Sequence, residues 1–388
     1  MRVRLRHFLH PQRTIGRAGE LVRERLERRR FAKRGRRQFI GDARYDLKAV
    51  SEGFADRIET EVEDTAILER ICSAYQRAHS EEKLAPEAYR PTGWWEMQRH
   101  GSLQPVMHAL ANGDVETLGL MYRNFYRDAC SAGLILVQSL AKEYFGGRMT
   151  DQHRRYVLAD ALYRVDHWKK MTAGAYAVRE LAGPLVGNPF GVVIDGTLVR
   201  AGAEYQHFCA TRVAGMLTRE DGTVAEIGGG YGGMAYYLLR ERRALRYVGF
   251  DVAESVALTS YYLMRSFPER RFLLYGETQL NEESLANADV VLLPVFALPR
   301  MALRAEITFS SHAMSDLSEA AQEEYSARVS AIASGRLLCV GEATGMNRLD
   351  ATLSRGGVWT RVRERELDWN VHRNPRAREV ERAYRSRE

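Results

Sequence analysis

Cysteine is scarce. The 388 residues hold four, Cys72, Cys130, Cys209 and Cys339, and none stands in C-x-x-C spacing. That excludes a disulfide framework and a zinc knuckle and leaves buried, reduced thiols as the expectation. Long apolar runs are missing too; none approaches the roughly 20 residues that cross a bilayer. Arginines interrupt the N-terminus where a signal peptide would carry its apolar core, so a cytoplasmic chain is expected. No Gly-Lys-Ser/Thr closes any glycine turn, which removes a Walker phosphate loop. No two carboxylates stand at recognisable ligand spacing near the motifs described below, and no metal is expected.

Acid is nearly absent from one end. Residues 1–40 contain 14 Arg and Lys against three Glu, a net +11, so residues 41–388 carry −4 of the total +7. The basic character therefore belongs to an N-terminal arm. In it Leu21, Val22, Leu26 and Phe31 alternate with arginines, a pattern suited either to a solvated arm or to a basic helix attracted to anionic lipid at the inner membrane face. Interleaved aromatics and any recognisable nucleic-acid module are lacking, so no nucleic-acid partner is expected.

At 388 residues, with 45% hydrophobic and 28% charged residues, the chain reads as a globular protein of more than one domain. The arm is assigned to residues 1–48 and a helical domain to 49–182, where Ile67/Ile71/Tyr75, Leu118/Tyr122/Phe125 and Leu158/Leu162/Val165 repeat at helical spacing. This domain is expected to act as a cap or as a homodimer surface. In it Trp94, Trp95 and Trp168 read as packing residues first and as a carbohydrate-stacking platform second, since aromatic rings do stack on sugars. An α/β domain is assigned to 183–360 and a charged tail to 361–388, docked through Trp359, Leu367 and Trp369.

The α/β assignment starts from Glu226–Leu239, EIGGGYGGMAYYLL. Thr223–Ile227 is β-branched and apolar, and the residues from Met234 onward are good helix formers, so the stretch reads strand, tight turn, helix. Gly228, Gly230 and Gly233 fit G-x-G-x-x-G, whose missing side chains let backbone N–H groups approach a ligand. The next apolar segment, RYVGF, ends in Asp251, 23 residues past Gly228, where a second parallel strand would bring a carboxylate to a ribose. NAD and S-adenosylmethionine both satisfy that pattern. Glu226 separates them: a carboxylate at the strand end repels a pyrophosphate and attracts a sulfonium and an ammonium.

The segments EIGGGYGGMAYYLL, YVGFDVAESVALTSYYLMRSFPERR, VVLLPVFALP and ITFSSHAMSDLSEAAQEEY resemble the sugar O-methyltransferases of bacterial polysaccharide and glycoconjugate clusters, over roughly residues 188–342. Two positions depart from that family's pattern: Ser310-Ser311 replaces a frequent Asn-Thr pair, and Asp316 a Glu. The resemblance implies a Rossmann-like class I methyltransferase domain with a doubly wound, mostly parallel sheet. It also implies S-adenosylmethionine as cofactor and a small-molecule or glycan acceptor.

Site residues follow. Glu226, Gly228, Gly230, Tyr231, Gly233, Asp251 and Val252 are expected around the donor. Phe296 joins them as an adenine-stacking candidate if Val290–Val295, not Arg271–Tyr275, is the third strand; as a core residue it needs no such role. His312, just past the fourth strand (Ala305–Ser310), is the candidate base, with Asp316 to orient it or bind a substrate hydroxyl. Glu342, ending the fifth strand (Arg336–Val340), is another candidate base. Tyr205, His207 and Ser315 are expected to face the acceptor. Two other classes fit less well. An NAD-dependent sugar oxidoreductase should carry Tyr-x-x-x-Lys, which neither Tyr144 nor Tyr156 begins. A non-catalytic scaffold at a membrane assembly has no need of Glu226, the glycines and Asp251 together.

Overall fold

The computed structural model describes residues 26–135, 143–147, 149–301, 303–373 and 378–387. Of the basic arm, residues 1–25, including Leu21 and Val22, lie outside the described residues. Residues 26–38 are helical. Phe31 and Ala32 are buried there, with the Phe31 ring 5.3 Å from Tyr156 and 5.5 Å from His372. This part of the arm packs onto the body instead of standing in solvent.

The helical region comprises α1 (Leu47–Gly53), α2 (Thr65–Glu82), α3 (Gly93–Arg99), α4 (Gln104–Asn112), α5 (Val115–Tyr122) and α6 (Asp151–Met171). In α2 the stripe Leu68, Ile71, Cys72, Tyr75 and Ala78 is buried, the spacing of one helix face. α4 stops at Gly113, whose φ of +66° supplies the left-handed cap. α6 starts at Thr150, whose side chain accepts from His153 N at 3.3 Å. Leu158, Leu162, Val165 and Trp168 of α6 are buried.

A hairpin of β1 (Gly191–Ile194) and β2 (Thr197–Arg200) leads to α7 (Ala203–Ala214). Then follow β3 (Thr223–Ile227), α8 (Gly233–Glu241), β4 (Arg246–Asp251), α9 (Ala253–Ser266), β5 (Phe272–Leu274), α10 (Glu282–Ala286) and β6 (Val290–Pro294). The chain continues through β7 (Ile307–Ser311), α11 (Ala313–Asp316), α12 (Glu319–Ile332), β8 (Arg336–Glu342), α13 (Ala343–Arg355), β9 (Trp359–Leu367) and β10 (Glu379–Ser386). The main sheet runs β5-β6-β4-β3-β7-β8-β10-β9; β3 to β8 are parallel and β10 is antiparallel to both neighbours. This is the expected Rossmann-like, doubly wound, mostly parallel α/β sheet. Its order reverses between β3 and β7, where such sheets open a crevice at their carboxyl ends.

One open alternative is settled here and one expectation changes. Both strand-like segments are strands, but β6 pairs with β4 and so takes the third position, with β5 outside it at the edge. Residues 361–388 are not a tail: most of them form β9 and β10, which complete the sheet. Trp359, Leu367 and Trp369 are buried as they would be in a docked segment.

Candidate functional site

A cavity of about 580 Å³ opens at the carboxyl ends of β3, β4 and β6, within the size range of small-ligand sites. One wall is the sheet. There Gly228 and Gly230 hold φ of +80° and +59°, a region that costs other residues energy. A Cβ on Gly228 would stand 2.1 Å from the Ala313 Cβ, so the turn is closed to any side chain. A Cβ on Gly230 would point toward Leu134, itself a cavity residue, so its absence leaves room above the turn.

Asp251 is fixed by this turn. Its Oδ2 accepts from Gly230 N at 2.8 Å and its Oδ1 from Val252 N at 2.7 Å. Burial raises its carboxyl to about 7 against the lowering effect of those two N–H groups. The group lines the cavity together with Val252 and Val295.

The other wall comes from the helical region. Tyr89 donates to Glu324 Oε1 at 2.9 Å and stacks on Tyr325 at 5.1 Å. Trp94 is 55% exposed beside the cavity, its ring edge against Gly133, where a Cβ would come within 2.6 Å of the indole. Behind it Trp95 Nε1 donates to Glu254 Oε1 at 2.6 Å. Arg99 bridges Glu82 and Glu254, each at 2.6 Å. Glu254 lies in the first turn of α9, three residues after Asp251, so this buried ion network ties the helical wall to the donor side of the sheet.

His312 and Asp316 close the end beyond β7. His312 has φ +63° and donates its N–H to Val340 O at 2.7 Å, which turns the chain sharply out of β7. Its Nε2 stands 3.9 Å from Glu379 Oε1, and Asn370 Nδ2 donates to that same oxygen at 2.9 Å. Asp316 is exposed and accepts from Ser315 Oγ at 2.9 Å.

The structure thus brings Gly228, Gly230, Asp251, Val252, His312 and Asp316 to one cavity and places the other candidates elsewhere. Glu226 is buried beneath the turn and accepts from the Tyr247 hydroxyl; burial raises its carboxyl to about 7. It is not among the residues that line the cavity, so it is not placed for the direct donor contact that was expected. Tyr231 is also buried, donating to Gln206 Oε1 at 2.9 Å among Phe125, Tyr126 and Tyr262. Gly233 is tight because Gln206 lies over it, 2.4 Å from a notional Cβ.

Phe296 is core, packed edge-on at 5.5 Å against Tyr275. His207 sits among Trp168, Tyr176 and Tyr237, accepts from Trp168 Nε1 at 3.2 Å, and is pushed down to about 4 by burial. Tyr205 bonds Ser311 Oγ at 2.6 Å, and Ser315 Oγ lies under Gly341, bonded to His312 O at 2.9 Å. Glu342 is exposed outside the cavity and meets Thr344 Oγ1 at 3.3 Å.

Tyr89 and Tyr325 were not among the site candidates, and Trp94 and Trp95, read first as packing, also line the cavity. The WW doublet between Gly93 and Gly101 was the available signal. Among the described residues no group of three His, Cys, Asp or Glu could hold a metal, and no helix is long and apolar enough to cross a membrane.

No family model matches the chain, and no curated protein matches it. Among solved structures, a TehB-like S-adenosylmethionine-dependent methyltransferase from Corynebacterium glutamicum is similar at 11% identity and TM-score 0.34, over 59% of this chain and 99% of that one. The pyocyanin biosynthetic protein PhzM is similar at 15% identity and TM-score 0.33, over 76% and 71% of the two chains. The glycopeptide N-methyltransferase MtfA, complexed with S-adenosylmethionine, follows at 11% and 0.34, over 46% and 86%. Likeness at this level carries no weight of its own; the functional reading rests on strand order and cavity.

Proposed function

We propose that the protein is an S-adenosylmethionine-dependent methyltransferase that methylates a hydroxyl of a sugar or sugar-bearing metabolite. The observation that carries this reading is Asp251. Its carboxylate is held by the glycine turn and lines a cavity that also holds a histidine. Asp251 would accept from the two ribose hydroxyls, Gly228 and Gly230 would give the backbone room to approach, and Val252 and Val295 would flank the base. Strand order supports a single nucleoside over a dinucleotide. A dinucleotide fold repeats its mononucleotide half and ends on a sixth parallel strand; here the antiparallel pair β10 and β9 follows β8, and His312, not a glycine turn, follows β7.

When bound, S-adenosylmethionine supplies an electrophilic methyl group on a positively charged sulfur. His312 accepts the proton of the acceptor hydroxyl, and the imidazolium so formed faces the Glu379 carboxylate 3.9 Å away. Asp316 accepts a hydrogen bond from a neighbouring hydroxyl. Trp94 offers its exposed face to the C–H face of a pyranose ring. The test is to incubate the protein with S-adenosylmethionine and a panel of glycosides and read a one-methylene mass gain. The expected product disappears in His312→Gln while donor binding persists. Methylation confined to amines, or unaffected by His312→Gln, would overturn the assignment.

A further inference from the structure

The opposite end of the sheet carries a second feature, unrelated to the cavity. β8 runs from Arg336 to Glu342, and at about 3.3 Å per residue its start lies roughly 20 Å from the end that meets His312. At that start, Arg212 of α7, Arg336 of β8, Arg363 of β9 and Arg385 of β10 line a hollow of about 500 Å³.

The register explains why they converge. Arg385 stands directly opposite Arg336, and Ala383, two residues back on the same face, stands opposite Arg363. A bulge between Ala383 and Tyr384 turns Arg361 to the other face, where Asp350 and Glu364 neutralise it. Arg365, opposite Glu381, adds a fifth guanidinium to the first face.

Acids on this side do not balance them. Glu381 is taken by Arg212 at 2.9 Å, and Glu306, 3.9 Å from Arg336, already accepts from Thr218. Arg363 and Arg385 make no ion pair or side-chain hydrogen bond among the described residues, whereas Arg365 has the Glu381 charge opposite it. Like charges directly opposite one another on neighbouring strands destabilise a sheet. Elsewhere on the same strands the arginines are paired, as in Arg382 with Glu364 at 2.7 Å.

We propose that this hollow is an anion site for a diphosphate, held between the forked guanidiniums of Arg363 and Arg385, with Arg336, whose Nη1 donates to Met216 O, adding its charge and its remaining N–H groups. Guanidinium forks match phosphate oxygens in pairs, and the volume exceeds what one phosphate fills. The ligand is a soluble diphosphate, since a concave pocket receives a compact group better than a flat membrane does.

The test is calorimetric titration of the full chain with inorganic pyrophosphate, beside Arg363→Ser/Arg385→Ser and Arg361→Ser. Saturable binding is expected that weakens as salt is raised. It should fall about tenfold or more in the double variant and stay unchanged in Arg361→Ser. The unliganded double variant should also melt higher than the parent, because the cross-strand repulsion is gone. Absence of saturable binding, or equal binding by the double variant, would overturn the proposal. So would binding to phosphatidylglycerol vesicles without binding of pyrophosphate, which would make this face a membrane contact.

Discussion

The two walls of the cavity are built by different physics. The sheet wall is made by backbone: two glycines at positive φ and an aspartate held by two N–H groups, all within one strand-turn-helix-strand unit. The helical wall is made by side chains brought from far apart in sequence, with Trp94 set on Gly133 and Arg99 bridging Glu82 and Glu254. A backbone site declares itself locally, because few residues tolerate its geometry. A side-chain site declares itself only once the chain has folded.

That contrast can be broken experimentally. The largest effect is expected at Arg99, which is 13% exposed at the side chain. Arg99→Ala strands two buried carboxylates and should cost about 3–5 kcal/mol in urea unfolding, while a refolded fraction keeps its donor affinity. If stability hardly changes, the network does not hold the wall.

Asp251→Ala should reverse that pattern, lowering donor affinity about 100-fold with a smaller change in stability. The same residue sets a pH dependence. Ribose hydroxyls donate to the ionised carboxylate, whose folded-state value is about 7, so affinity should hold at pH 8 and fall as pH drops below about 7. Calorimetry from pH 5.5 to 8.5 would check the sign, and Asp251→Asn should flatten the curve.

Trp94→Ala should raise the acceptor KM about tenfold and leave kcat, donor binding and melting temperature nearly unchanged, since its ring is half exposed. Equal loss for donor and acceptor would place Trp94 in general packing.

The smallest effect belongs to Glu226. Its folded value of about 7 exceeds the unfolded value of roughly 4.3, so the native state holds a proton that the unfolded chain releases between them. Stability from this group is therefore full near pH 4 and lost as pH rises through about 7. Glu226→Gln should be more stable than the parent in urea unfolding at pH 8 and no more stable at pH 4.

The sequence made the first unit of the sheet legible. Thr223–Ile227 is β3 residue for residue, and Asp251 ends β4, because glycine spacing and apolar runs are local signals. Strands β7 and β8 also stand where expected. What failed depended on distant partners. His207 looked free on a helix until Trp168, Tyr176 and Tyr237 closed around it. Phe296 looked like a stacking ring until Tyr275 met it. The charged strands β9 and β10 show little apolar alternation, since β9 is an edge strand with both faces largely wet, so they read as a tail. Glu226 carried the argument for a cationic donor, but only the fold shows Tyr247 beneath the turn to receive it.

The cavity beside Asp251 is expected to bind an adenosyl donor. Calorimetric titration of the full chain with S-adenosylmethionine, S-adenosylhomocysteine and NAD, repeated on Asp251→Ala, tests it directly. Saturable heats from both adenosyl ligands, collapsing in the variant and absent for NAD, are predicted. Binding of NAD alone, or of none of the three, would contradict it.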